Sequence, residues 1–432
     1  MAGRRLLEAE RGYEEAIADA RRQENVLRAG EVMVDLVASL RDRGETRRAR
    51  AVLEEAVALL EREPPGRELA LAYLHVARDD AVSGRARDCL ESSERAIRLL
   101  ERLGMHDHAA RTLQFRGGAR IDIGDLKGLE DLRESLRLSL QLGLGYYTVN
   151  AYGNLAENVW QIEGPAAALD LYRAGIDFGE RRGLAFKTRW VEGEMLWSLF
   201  DLGGWDELLE QAERLISSDE AYGGSQVGIM ALTYRARVLV LRGQTAEAAS
   251  ARERFLAAAR QSGDRQVLVP ALAVAALIDL AAGELRGAVE LIEDLEGSTR
   301  DYPSWRSHEL PDALRVCARA GELELGRSLL EGGAEFVARD RHLALTARAV
   351  LAEGKGETER AAELYAGAAQ GWAEFGHALE HGLALLGRGR CLSTLGATAE
   401  AAAPLREAEA VFGRLGAAPL LDETAALLGV AA

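Results

Sequence analysis

Two histidines one helical turn apart, with a glutamate between them, have the spacing in this chain best suited to catalysis. His377-Ala-Leu-Glu380-His381 matches the pattern H-x-x-E-H, in which imidazoles at i and i+4 share one helix face and can grip zinc. No third ligand is evident downstream, and the motif opens a helix, so a structural role competes with the metal. His106-Asp107-His108 is weaker, because helix neighbours two apart point in different directions. That triplet is expected in a link between helices.

Other catalytic sets are missing. A phosphate-binding loop needs Gly-Lys-Ser/Thr. The chain has three lysines, Lys127, Lys187 and Lys355, and none is followed by a hydroxyl and preceded by glycine. No Ser-His-Asp set can be assembled from seven histidines scattered along the chain. Cys89, Cys317 and Cys391 fall at positions suited to small buried hydrophobes. The expectation is a protein that is not an enzyme, with no catalytic residues, no metal and no cofactor.

Residues suited to recognition are more prominent. Asn150 and Asn154 lie one turn apart in a helical stretch, where asparagine is a poor helix former. Its amide both donates and accepts, which suits the main chain of an extended peptide. Glu157 follows on the same face. Trp190, Glu194 and Trp197 form a second stripe, and Tyr234 and Arg237 a third. Trp and Arg are the side chains most enriched at binding hot spots. Two readings stand: these residues face a concave groove and grip a partner, or they pack between adjacent helix pairs, with Asn154 bridging neighbouring helices. Arginines beside small residues (Arg116, Arg235, Arg237, Arg348, Arg388, Arg390) form either a basic stripe or salt bridges between repeats.

The elements that hold these residues are marked by glycine. Gly44, Gly84, Gly124, Gly164, Gly204, Gly243, Gly283, Gly321, Gly356 and Gly396 recur every 35 to 40 residues, each between two apolar helical stretches. Such a period predicts a stack of helical hairpins. In each unit helix A precedes the glycine and helix B follows it; in the fourth, A covers about 146–163 and B about 165–182. B helices end at Gly104, Gly143, Gly183, Gly263, Gly376 and Gly416, where a left-handed residue closes a helix. They carry a small–large–small stripe, as in Ala49/Leu53/Ala56, Ala168/Tyr172/Gly175, Ala361/Tyr365/Ala368 and Ala401/Leu405/Ala408. The whole chain, 1–432, is expected as one all-α solenoid, with a possible flexible joint at 297–311 and a closing helix in 417–432. An unpaired helix is expected at about 4–22.

Stripe and period together resemble the tetratricopeptide repeat in a form of about 40 residues, implying a right-handed superhelical solenoid of about ten helical hairpins. The segments 124–145, 154–183, 199–215 and 234–249 resemble the C-terminal repeat region of bacterial signalling proteins. In these, an adenylate/guanylate cyclase or LuxR-type DNA-binding domain is joined to an AAA-like ATPase. The resemblance implies a scaffold binding a peptide or protein segment in its concave groove, in bacterial signalling. A ligand-sensing module that controls an ATPase, nucleotide cyclase or transcription factor is the alternative. Either way, the implied partner is a protein, possibly a cyclase, ATPase or transcription regulator.

Charge and hydropathy narrow the partner. A net charge of −16 argues against direct nucleic-acid binding, which needs clustered cations. The longest apolar run, Val267 to Ile278, has 12 residues, short of the roughly 20 a membrane span requires. With no signal peptide evident and three apparently unpaired cysteines, a cytoplasmic location is expected.

Overall fold

The computed structural model describes residues 2–42, 45–222 and 225–431. Among them there is no strand, and the chain forms 23 helices. It divides into two compact units, 1–155 and 156–432.

The first unit opens with α1 (Ala2–Arg22), then pairs α2 (Val26–Asp42) with α3 (Thr46–Leu60), α4 (Arg67–Val82) with α5 (Ala86–Arg102), and α6 (His106–Asp122) with α7 (Gly128–Gln141). The boundary between the units falls within α8 (Gly145–Ile162), which is followed by α9 (Pro165–Glu180). The second unit continues with α10 (Ala185–Leu202) and α11 (Trp205–Tyr222), α12 (Gln226–Leu241) and α13 (Thr245–Ser262), and α14 (Arg265–Ala282) and α15 (Leu285–Thr299). A short α16 (Pro303–His308) leads into α17 (Leu310–Ala320) and α18 (Leu323–Glu331). The last hairpins are α19 (Ala338–Gly354) with α20 (Thr358–Phe375) and α21 (Ala378–Thr394) with α22 (Thr398–Leu415), before α23 (Ala418–Ala431).

The glycine reading holds with one shift. The turn glycines from Gly84 onward adopt positive φ, and so do all six glycines expected to end B helices. In the fifth repeat the left-handed residue is Gly203, φ 79°, not Gly204. Gly44 lies outside the described residues. His106 starts α6, so the His106–His108 triplet forms a first helical turn instead of a link, and His108 Nδ1 lies 2.8 Å from Asp107 Oδ1.

Small–large–small stripes make the hairpins tight. Ala49, Leu53 and Ala56 are at most 1% exposed, and Ala361, Tyr365 and Ala368 are buried likewise. The small residues let the paired backbones approach, and the large one fills the gap between them. Successive A helices also pack on one another, as α2 does on α4, α4 on α6 and α12 on α14. Among the described residues, successive B helices show no comparable packing. The A helices therefore crowd the inner side of each unit, and their free faces form its inner wall.

The 297–311 stretch lies inside the second unit and holds α16. Arg306 is buried there and donates to Thr299 Oγ1 (3.2 Å) and to the Glu296 carbonyl (3.1 Å). Ser307 Oγ accepts from the Ala334 amide at 2.7 Å. The helix α14 is long and apolar enough to cross a membrane by length and composition. Here it is a core helix, packed against α12, α13, α15 and α17.

Candidate functional site

The inner wall of the second unit is filled by its own side chains. Asp201 on α10 is 2% exposed and sits among three groups. Trp160 Nε1 donates to its Oδ2 at 2.8 Å, His377 Nε2 lies 3.1 Å from Oδ1, and Arg339 Nε lies 3.6 Å from Oδ2. The Arg339 guanidinium stacks 4.0 Å from the centre of the Trp160 ring. Trp197 packs on Trp160 with ring centres 5.3 Å apart, and is 4% exposed. Arg237 on α12 reaches Asp312 on α17, lies 3.2 Å from Glu309, and covers the Phe200 ring at 4.6 Å. Tyr234 meets the same ring edge-on. Arg315 pairs with Glu380 through two bonds of 2.7 and 2.6 Å and with Asp312 at 2.9 Å.

Burial alone would raise the Asp312 carboxyl, but Arg237 and Arg315 outweigh it and hold it below the usual range. Burial also depresses His377 despite the nearby Asp201 carboxylate. Its neutral ring donates from Nε2 to Asp201, while Nδ1 accepts the Glu380 amide as a helix N-cap. Burial, with Arg339 beside it, lowers His308 to about 3. Several buried polar atoms keep no hydrogen-bond partner, including Trp197 Nε1, Arg237 Nε and His308 Nε2.

This unit curls until its first turns meet its last helices. A Cβ added at Gly164 (φ 107°) would meet the Phe375 carbonyl at 2.6 Å, and one at Gly203 would meet Leu415 at 2.6 Å. Arg242 donates to the Leu415 carbonyl at 3.2 Å. Only glycine fits such an approach at positive φ.

The zinc-like motif is taken apart by these contacts. His381 turns away from Asp201 to the Ala369 carbonyl (2.8 Å) and to Glu407 (3.1 Å). The two imidazoles thus serve different neighbours, and among the described residues no group of three or more His, Cys, Asp or Glu side chains could hold a metal ion. Cys89, Cys317 and Cys391 are buried and free, and burial pushes each thiol up to about 12.

The remaining recognition residues spread over both units. Asn154 donates to Gln114 Oε1 at 2.7 Å, bridging α8 to α6. Asn150 is half-buried. Glu157 and Trp190 are half-buried, and Trp190 Nε1 donates to the buried Glu194 at 2.5 Å. Five of the six arginines beside small residues form bridges: Arg116 with Asp131, Arg235 with Glu247, Arg237 with Asp312, Arg348 with Glu335, and Arg390 with Glu353 and Glu423.

The inner wall of the first unit carries contacts that sequence reasoning missed. Arg41 Nη1 lies 3.1 Å from His75 Nδ1, and Arg111 stacks over the Tyr147 ring at 4.1 Å. Counted back from the turn glycines of their repeats, these four residues sit 3, 9, 13 and 17 positions away. They step by about a helical turn or more per repeat, so aligning the glycines separates them. A search for residues recurring every 34 to 36 positions would have found them.

Comparison with known proteins supports the architecture. No family model matches the chain, and no curated protein matches it. Among solved structures it is similar to a Rap protein complexed with Competence and Sporulation Factor, at 13% identity and a TM-score of 0.53, covering 81% of this chain and 99% of that one. It is similar to Cut9 of the APC/C hetero-tetramer Cut9–Hcn1 at 13% identity and a TM-score of 0.50, covering 98% and 96%. A STAND signal-transduction ATPase with a tetratricopeptide repeat sensor from Pyrococcus horikoshii is matched at 13% identity and a TM-score of 0.47, over 75% of this chain. The chain spans about half of that protein, 52%. The fold is that of a tetratricopeptide-repeat solenoid. In such a solenoid each repeat touches mainly its neighbours and leaves one continuous wall of A helices.

Proposed function

We propose that this chain is a non-catalytic interaction module that receives an extended peptide or protein segment on the inner wall of its first unit. One contrast carries the reading. The second unit's wall is closed by buried ion pairs and indoles, whereas the first unit keeps His75, Arg78, Arg111, Tyr147 and Asn150 half-buried on one side. Asn150 grips main chain through its amide, and Asn154, tied to Gln114, sets its height on the wall. In the second unit Trp197, Tyr234, Arg237 and the buried Glu194 brace the wall, while the half-buried Glu157 and Trp190 offer a secondary contact. The similarity to a Rap protein solved with a bound factor supports a recognition role. The resemblance to signalling repeat arrays suggests a cyclase, an ATPase or a transcription regulator as the partner.

Site-specific photo-crosslinking tests this. A photoreactive phenylalanine analogue placed at Asn150 should trap a partner in cell extract, and the same analogue at exposed Glu130 on α7 should not. Equal labelling from both positions, or none from Asn150, would reject the reading.

A further inference from the structure

The outer side of the first unit carries a groove between two neighbouring B helices. The link 61–66, between α3 and α4, contains Pro64, Pro65 and Gly66. Proline restricts both its own backbone and that of the residue before it, so this link cannot close in one tight turn. The next link, 103–105, does so at Gly104 (φ 68°), and α3 accordingly packs less extensively on α4 than α5 does on α6. The gap left behind is a cavity of about 550 Å³, with Pro65, Leu69, Tyr73 and Leu99 as its apolar floor. A second cavity of about 290 Å³ shares Tyr73 and Arg95 and continues between α3 and α5 toward Arg50 and Asp88.

One face of α5 lines both. Asp88, Glu91, Arg95, Arg98 and Arg102 recur at steps of three and four, which stacks them in one row running from acid to base. Arg95 is already paired: it lies 2.9 Å from Glu91 and 3.3 Å from Glu61, over the Tyr73 ring. Tyr73 in turn donates to Glu61 at 2.6 Å. Among the described residues Arg98 meets only Glu94, at 3.8 Å, and Arg102 meets no carboxylate. Both are exposed, and Glu101 is the acid set against three arginines in that lining. The opposite end is acidic, and its Arg50 is tied to Glu54 and Asp80 at 2.6 and 2.7 Å.

We propose that this outer groove binds a small organic phosphate, a phosphate monoester on an apolar body, with Arg98 and Arg102 on the phosphate and the body over Leu69, Tyr73 and Leu99. The site is separate from the inner wall and does not depend on what that wall recognises. Side chains one helical turn apart start only about 5–6 Å from each other, so the two guanidiniums can converge on one group. A phosphate monoester offers three oxygens to them, whereas a carboxylate is satisfied by a single arginine fork. The cavity falls in the range of about 300–1,000 Å³ usual for small-molecule sites, and its apolar floor with a few charged groups at the rim is their usual make-up. The carboxylates around Arg50 repel an anion, so the charge gradient along α5 fixes which way the ligand lies.

The test titrates the full chain calorimetrically with 1-naphthyl phosphate, and in parallel with 1-naphthaleneacetate, 1-naphthalenemethanol and inorganic phosphate. The naphthyl phosphate should bind at one site, more weakly as salt rises, and each of the other three should bind less tightly by about tenfold or more. The double substitution Arg98→Gln with Arg102→Gln should cut affinity for naphthyl phosphate by a similar factor and leave the unfolding midpoint unchanged, since both side chains are exposed. Arg286→Gln with Arg300→Gln, which removes the same charge from exposed positions of the second unit, should leave the affinity intact. No binding of naphthyl phosphate, or binding of the alcohol, the carboxylate or inorganic phosphate as tight as its own, would overturn the assignment. So would full affinity in the Arg98/Arg102 variant, or an equal loss in the Arg286/Arg300 variant.

Discussion

The two inner walls are made from the same helical hairpin and differ in what meets their charges. In the second unit Arg237 of α12, Arg315 of α17 and Arg339 of α19 find acids on other helices of the same wall, and Arg237 and Arg339 are buried. In the first, Arg111 stacks on the Tyr147 ring and meets no carboxylate among the described residues, and Arg78 stays partly exposed. Curvature explains the difference. Where a unit curls enough for distant A helices to touch, their inner side chains become core and must be paired. Where helices meet only their neighbours, the same face remains a surface. A repeat array can thus spend one stretch of wall on rigidity and keep another for recognition.

The contrast predicts a large cost in one wall. Arg237→Ala removes the arginine partner of Glu309 and one of the two arginines on Asp312 while leaving both carboxylates buried. Breaking one side of a buried pair costs about 3–5 kcal/mol. Denaturant unfolding should show that loss; a change below about 1 kcal/mol would mean that the second wall is open to water, and the comparison would collapse.

An intermediate effect comes from acid. His308 in the second unit and His75 in the first are both lowered to about 3, chiefly by burial. An unfolded histidine titrates near 6.5. Between these values the unfolded chain binds protons that the folded chain does not, so stability is full above about 6.5 and falls as pH drops toward 3. Each histidine contributes roughly 1.4 kcal/mol per pH unit in that window. Melting temperatures from neutral to mildly acidic pH should fall, and His308→Leu should flatten the fall in the second unit alone. An unchanged slope would show that the imidazole titrates normally and is not buried in a dry wall.

The smallest effect belongs to the open wall. Arg111→Gln should change unfolding free energy by less than about 0.5 kcal/mol, as substitutions away from buried networks usually do. A loss as large as that of Arg237→Ala would make Arg111 a structural residue and erase the difference between the walls.

Much of the local architecture was legible in one dimension. Helix α9 begins at Pro165 and α8 ends at Ile162, close to where proline and glycine place them. The glycines of both helix ends took positive φ because backbone chemistry acts over a few residues and needs no distant partner. The shift from Gly204 to Gly203 is the kind of slip two adjacent glycines permit. The stripes around Leu53, Tyr365 and Leu405 were buried as spaced, since offsets of three and four follow from helix geometry alone. The walls were harder. Trp197 and Arg237 share a face with recognition residues, yet their fate rests on Trp160 and Asp312, and Asp312 lies 75 residues from Arg237.

By itself, the amino-acid order determined the hairpins, their period, their turns and which faces are apolar, because these depend on contacts within or between adjacent helices. Which polar faces close and which stay open was decided only by the tertiary structure. Small rotations between repeats add up along the chain, and only their sum tells whether α10 reaches α21 and whether an arginine there meets an acid or water.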